Sequence, residues 1–193
     1  MTPEEFAKHL KARAEELRRA YADRWPRMMR AEAVEHFREG FRRGGFIDKS
    51  LDKWDVTRRQ SVPFNGAPGK YTPLNSRTGS LMHSIDGRLE PGGVTIFSDE
   101  PHAAIHNEGG RIPVTKRMRR FFWAMHYENK QKYGAKNPEA QFWARMALKR
   151  GDTIRIPRRK FLGPSAALVE RISKAIRRDV ERILKGLSVS ISE

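Results

Sequence analysis

The chain's 193 residues suffice for one domain with a real core, but 39 Lys and Arg against 23 Asp and Glu leave a formal charge of +16. Self-repulsion of that size opposes a compact monomer unless something acidic lies near: nucleic acid, an anionic membrane or an acidic protein. Having no cysteine excludes disulfides, thiolate metal sites and cysteine catalysis, and no apolar run nears the ~20 residues of a membrane span.

Glu4 and Glu5 charge the N-terminus and no secretory pattern is present, so a soluble, intracellular chain is expected. Residues 3 to 22 read as an amphipathic helix. Thr2 can cap it, Pro3 takes its first position, and Phe6, Leu10, Leu17 and Tyr21 fall near one face. Pro26 kinks or restarts the helix, with Asp23 as the cap of a second one. In that second helix Met29, Val34, Phe37 and Phe41 form the apolar stripe, and Gly44-Gly45 ends it.

From 46 to 77 no period survives, which predicts a long irregular arm holding Trp54, Phe64 and Tyr71. Such a segment is either a surface loop pinned by Trp54 or an assembly arm that orders against a neighbouring subunit. The next stretch, to Gly110, reads as a helical turn from Ser80, a hairpin, a short helix and a glycine stop. The hairpin loop is Glu90-Pro91-Gly92-Gly93, and Val94-Thr95-Ile96-Phe97 has the character of a buried strand. Ser98 or Asp99 would cap the short helix, with Pro101 in its first turn.

Arg111 to Val114 is extended, and residues 115 to 150 read as two helices. Thr115 caps the first, whose apolar face is Met118, Phe121, Phe122 and Met125, with Arg117, Arg119 and Arg120 outside. Pro138 starts the second, with Phe142, Met146 and Trp143 facing inward, and Gly151-Asp152 closes it. Thr153 to Pro157 alternates as an edge strand does. Gly163-Pro164-Ser165 opens a final helix striped by Val169, Ile172, Ile176, Val180, Ile183 and Leu187. The expected fold is α+β, one domain over 1–193, with a small antiparallel sheet packed by long N- and C-terminal helices.

Few residues point to chemistry. His102 and His106, four apart with Glu108 near, could share a helix face as a metal site requires, but no third ligand is selected by spacing among His83, His126 and Glu128. Ser80 lacks the elbow context of a nucleophile, and Gly109-Gly110 follows a helix instead of opening one around a phosphate. No catalytic residue, metal or cofactor is therefore assigned. The remaining signal is basic. Arg155, Arg158, Arg159 and Lys160 cluster at a strand end, the final helix adds a basic face, and such surfaces attract phosphates without reading sequence.

Several motifs occur in a telling order: Trp54, Tyr71-Thr72-Pro73-Leu74, Thr78-Gly79-Ser80-Leu81, His106-Asn107-Glu108-Gly109-Gly110 and Pro157-Arg158-Arg159-Lys160-Phe161-Leu162-Gly163. Over roughly residues 1 to 185 the chain resembles the phage virion morphogenesis family, the tail-completion or neck proteins of tailed phages and Mu-like prophages. It departs at His102, where an aromatic is expected, and in the helical elaboration 115–150. The resemblance implies a non-enzymatic component of the head–tail junction. It would form an oligomeric ring, six-fold in the usual case, around the DNA channel, touching portal-side, neck and tail proteins and packaged DNA. A nucleic-acid-binding packaging accessory is the alternative. Arg155, Arg158, Arg159, Lys160 and Trp54 are the candidate subunit or DNA contacts. Gly79, Gly109, Gly110, Phe161 and Gly163 are expected in backbone and anchoring roles.

Overall fold

The computed structural model describes residues 2–57, 60, 71–76, 78–90, 92–149, 151 and 153–185. Helix α1 (Pro3–Arg19) starts with a capping box, in which Thr2 accepts from the Glu5 N–H and Glu5 accepts from the Thr2 N–H. Pro26 does not break the chain's helical path. A π-helical turn (Ala20–Arg24) widens the helix by one residue, with the Trp25 N–H reaching back to Ala20, and α2 (Trp25–Arg43) continues from it. Because proline lacks an N–H and crowds the preceding turn, the wider turn relieves what a regular helix could not. Asp23 is consequently no cap; it pairs with Arg27 at 2.6 Å.

Helix α2 is the spine. Its buried face carries Ala33, His36, Phe37, Gly40 and Phe41, while Met29 and Val34 of the expected stripe are half-buried. Gly44, at φ 70°, turns the chain into β1 (Gly45–Ile47), which pairs antiparallel with β2 (Leu51–Lys53). The first part of the expected arm is thus an ordered hairpin. Three-residue strands with Gly45 and Asp48 between aromatics carry too little alternation to be seen as period two. The 61–70 part of that arm, with Phe64, lies outside the described residues.

Helix α3 (Ser80–His83) leads into β3 (Ile85–Glu90), paired through its whole length with β4 (Gly93–Ser98). Two arginines of α2 clasp this hairpin: Arg30 donates to the Gly87 carbonyl (2.7 Å) and pairs with Asp86, and Arg38 donates to the carbonyls of His83 and Ile85. Helix α4 (Ala103–Glu108) starts later than expected. His102 stands at its N-cap without a side-chain bond, and the Ser98 hydroxyl accepts from the Glu100 N–H.

Strand β5 (Gly110–Pro113) pairs antiparallel with β6 (Thr153–Ile156), and helices α5 (Lys116–Tyr133) and α6 (Pro138–Ala147) lie between them in the chain. The helical elaboration is therefore the loop of a two-stranded ribbon. α5 and α6 pack chiefly on each other, through Phe122 stacked on Trp143 at 5.9 Å. Phe121, expected inside, is exposed, and Arg119, expected outside, caps α6 by donating to the carbonyls of Ala147 and Lys149. The described strands form three separate two-stranded sheets, not one small sheet, within the α+β class.

Helix α7 (Ala166–Leu184) is capped by Ser165, which accepts from the Leu168 N–H. Leu168 and Ile183 are buried and Ile172, Ile176 and Val180 are half-buried, so the expected stripe faces inward except at its start, where Leu168 takes the place of the exposed Val169; Leu187 lies outside the described residues. The core joins Phe37, Phe41, Phe46, Leu81, Ile85, Ala103, Phe161 and Leu168. Beside it, buried His36 ties three elements. Its Nδ1 accepts from Arg171, which fixes the neutral tautomer, and its Nε2–H faces the Ile47 carbonyl (3.0 Å) and the Ser165 hydroxyl (2.9 Å).

At the other end of α7, Asp179 accepts from Arg182, from Trp25 Nε1 and from Arg24. Burial works against its charge, but these donors outweigh it and hold the carboxyl at about 2. This carboxylate ties the π-helical turn and α2 to α7.

Burial, with the Arg171 charge, pushes the His36 pKa below its ordinary value, and burial with the His102 and Arg159 charges does the same to His106. The unfolded chain therefore takes up more protons in the window just below the ordinary histidine value of ~6.5. Stability is full above that value and falls as pH drops through it, by at most ~1.4 kcal/mol per pH unit for each histidine. Urea denaturation from pH 8 to pH 5 should show this slope, and His36→Gln should reduce it.

Candidate functional site: a junction of two motifs and the basic ribbon above it

The His106–Gly110 and Pro157–Gly163 motifs, fifty residues apart, meet directly. The Asn107 side-chain oxygen accepts from the backbone N–H of both Phe161 and Leu162, each at 2.9 Å. The His106 carbonyl accepts from the Arg159 N–H at 2.8 Å. Gly109 takes φ 73°, ψ 175°, a conformation nearly confined to glycine, and a Cβ there would lie 2.8 Å from the Arg158 nitrogen. The first glycine thus permits both the turn and the close backbone approach; Gly110 already belongs to β5.

Below this contact Phe161 is buried edge-on against Phe41, with ring centroids 5.3 Å apart. Trp54 also packs edge-on against Phe41, and its indole N–H donates to the Lys160 carbonyl at 2.8 Å. Three residues expected at a partner surface face inward instead. Trp54 is half-buried in this junction. Arg159 is 8% exposed, with Nη2 donating to the Asp55 carbonyl. Lys160 places its ammonium 3.9 Å from the centre of the Phe46 ring and donates to the Pro164 carbonyl. Their sequence neighbourhood is basic, but packing and backbone bonding claim the side chains. Gly79 sits in the left-handed region at the start of α3, and Gly163 lies beside the Lys160 stem before the Ser165 cap.

Arg155 and Arg158 remain exposed. Sequence reading missed the partner of the former: Arg111 of β5 stands directly opposite Arg155 of β6, also exposed. Neither makes an ion pair among the described residues. Like charges directly opposite on a ribbon repel, so this face is built at a cost that an anionic partner would offset. The signal was present as an Arg inside each strand, second in β5 and third in β6, but only the register makes them neighbours.

The two histidines do not gather a metal site. Their rings stand perpendicular at 5.6 Å, His102 faces Glu100 at 3.4 Å, and His106 Nδ1 is buried with no hydrogen-bond partner among the described residues. They border a shallow cavity of about 400 Å³ with Leu81, Phe142 and Arg159. Among the described residues no group of three His, Asp or Glu side chains is placed to hold a metal ion. No helix there is long and apolar enough to cross a membrane.

If the junction holds the fold together, Asn107→Ala should cost about 2 kcal/mol by removing the acceptor of two partly buried N–H groups, and Gly109→Ala about 2–3 kcal/mol through strain and the Arg158 clash. Phe161→Ala should cost about 3–5 kcal/mol. Thermal unfolding of the three variants measures this; an unchanged midpoint for Gly109→Ala would contradict the geometry.

No curated protein and no solved structure matches the chain significantly. A family model does match, over residues 66–181, a shorter span than the resemblance traced above, leaving α1, α2 and Trp54 outside it. That span holds the Asn107–Phe161 junction, the β5–β6 ribbon and most of α7. It is more than half of the chain, and on it the chain belongs to the phage virion morphogenesis family and so to the proteins of bacteriophage virion assembly.

Proposed function

We propose that this protein is a structural component of the head–tail junction, a neck or tail-completion protein, whose copies close into a ring around the DNA channel. The observation that carries the reading is its membership of the phage virion morphogenesis family. Two features of the fold support it. Each two-stranded sheet has outer edges that no other described strand covers, and open edges are where neighbouring copies can add strands. The charge of +16 suits a surface that faces packaged DNA or an acidic portal-side protein. In this role the residues position and seal, and no bond is made or broken.

A ring former should stay associated at high salt. Light scattering of purified protein should give one oligomer whose mass is insensitive to salt, six copies being the expectation, and particles assembled without the protein should fail to join head to tail. A monomer at every concentration, or normal infectious particles without it, would overturn the reading.

A second reading, non-specific nucleic-acid binding, is favoured by the Arg111–Arg155 pair. If phosphates neutralise that face, Arg111→Glu with Arg155→Glu should lower affinity for duplex DNA by about ten-fold or more near physiological salt. It should also reduce the salt slope by about 2, close to one unit per lost phosphate contact. Equal binding by wild type and variant would remove the ribbon from any DNA contact.

A further inference from the structure

The first three turns of α1 are an apolar-striped helix with no partner among the described residues. Residues 2–12 are all exposed, and α1 as a whole buries no residue. Its stripe is nevertheless that of a docking helix: Phe6 and Leu10 are 38% and 49% exposed and lie in line with Leu17, about two turns beyond Leu10. A helix this short gains little stability alone, so a capping box and an Arg13–Glu16 pair preserve a shape whose burial lies elsewhere.

The same molecule carries a receptor for such a helix. Where α1 passes into the π-helical turn beside α7, Leu17, Arg18, Tyr21, Trp25 and Val180 line an open trough of about 560 Å³. Asp179, bonded to Arg24, Trp25 and Arg182, fixes the trough's walls before anything enters. Arg177, one turn before Val180 on the same helix face, is exposed and makes no ion pair among the described residues. The first turn of α1 is acidic, with Glu4 and Glu5 exposed just ahead of Phe6, and Lys8 and Lys11 follow it. On a chain of charge +16, this acidic first turn next to Phe6 and an apolar trough rimmed by Arg18 and Arg177 are complementary to each other.

We propose that the first three turns of α1 dock into this trough on a second copy of the chain, Phe6 and Leu10 entering between Leu17, Tyr21, Trp25 and Val180. Tip and trough carry different residues, so one copy can give its tip to a second and its trough to a third, and in a ring the contact repeats head-to-tail until it closes. The docking deepens the ring reading and rests on its self-assembly. It places the intersubunit contact outside the span 66–181 that defines the family, on α1 and one face of α7.

The absence of cysteine makes the test specific. Phe6→Cys and Val180→Cys are made as separate single variants, mixed and oxidised. Within one chain the two positions lie beyond disulfide reach, since Phe6 is eleven residues and ~16 Å along the helix from Leu17, which lines the trough with Val180. A disulfide-linked pair containing one of each variant is expected, with neither single variant alone giving a comparable band. Phe6→Glu with Leu10→Glu should weaken self-association by about ten-fold or more while leaving circular dichroism unchanged, because neither side chain is buried in the monomer. Wild-type oligomers with no mixed disulfide and no effect of the glutamates would overturn the docking and leave the ring intact. A monomeric wild type would overturn both, and a reciprocal dimer carrying the mixed disulfide would support the docking against the ring.

Discussion

The side-chain oxygen of Asn107 accepts two consecutive backbone N–H groups, and most of the fold hangs on that pairing. A carboxamide oxygen has two lone pairs, and here both are spent on the Phe161 and Leu162 nitrogens, which a turn entering the core would otherwise leave unsatisfied. The pairing fixes where Phe161 meets Phe41, hence where the chain can deliver Ser165 to cap α7. It also sets the register at which β6 returns beside β5. Aspartate in that place would bring a charge to a site whose near neighbour, Arg159, is already occupied by the Asp55 carbonyl. A neutral acceptor of the same reach avoids that burial cost.

The same junction sorts the basic residues into two kinds. Arg24, Arg30, Arg38, Arg119, Arg159 and Arg171 hold carbonyls, carboxylates or an imidazole within the chain. Guanidinium suits this work, since its fork reaches two acceptors and it loses less on leaving water than an ammonium. Arg111, Arg155, Arg158 and Arg177 hold nothing comparable among the described residues. A count of charges cannot separate the kinds, and a net charge of +16 overstates what is offered to a partner while understating how focused that offer is.

The same distinction decides what could be read from the sequence. Helix limits were legible wherever a cap or a stop acts locally: Thr2, Thr115 and Ser165 each bond an N–H three residues on, and Gly44 turns the chain out of α2. The β3–β4 hairpin was legible from its turn residues. Features set by distant partners were not. Phe121 and Val169 obey the helical period and are exposed, because the period fixes a face and not the angle at which a neighbour covers it. Trp54, Arg159 and Lys160 look like surface contacts until Phe41, Asp55 and Phe46 are brought beside them. The two motifs of the junction were visible as motifs, but their mutual role required knowing that they touch.

Pro26 shows the limit most plainly and also why the N-terminal region is shaped as it is. Local rules say that a proline ends or bends a helix, yet the chain inserts one residue and continues. Continuation has a geometric consequence that a break would not. It joins α1 to the spine helix without a break, so that the position of the α1 tip is tied to the core packed around Phe41. A hinge at Pro26 would leave the tip to sample many directions, and each copy would lose that freedom on assembly. The π-helical turn, braced on α7 through Asp179, removes that loss in advance. An arm held in this way is costly for an isolated monomer, which exposes Phe6 and Leu10 to water, and is favourable in the docked ring proposed above.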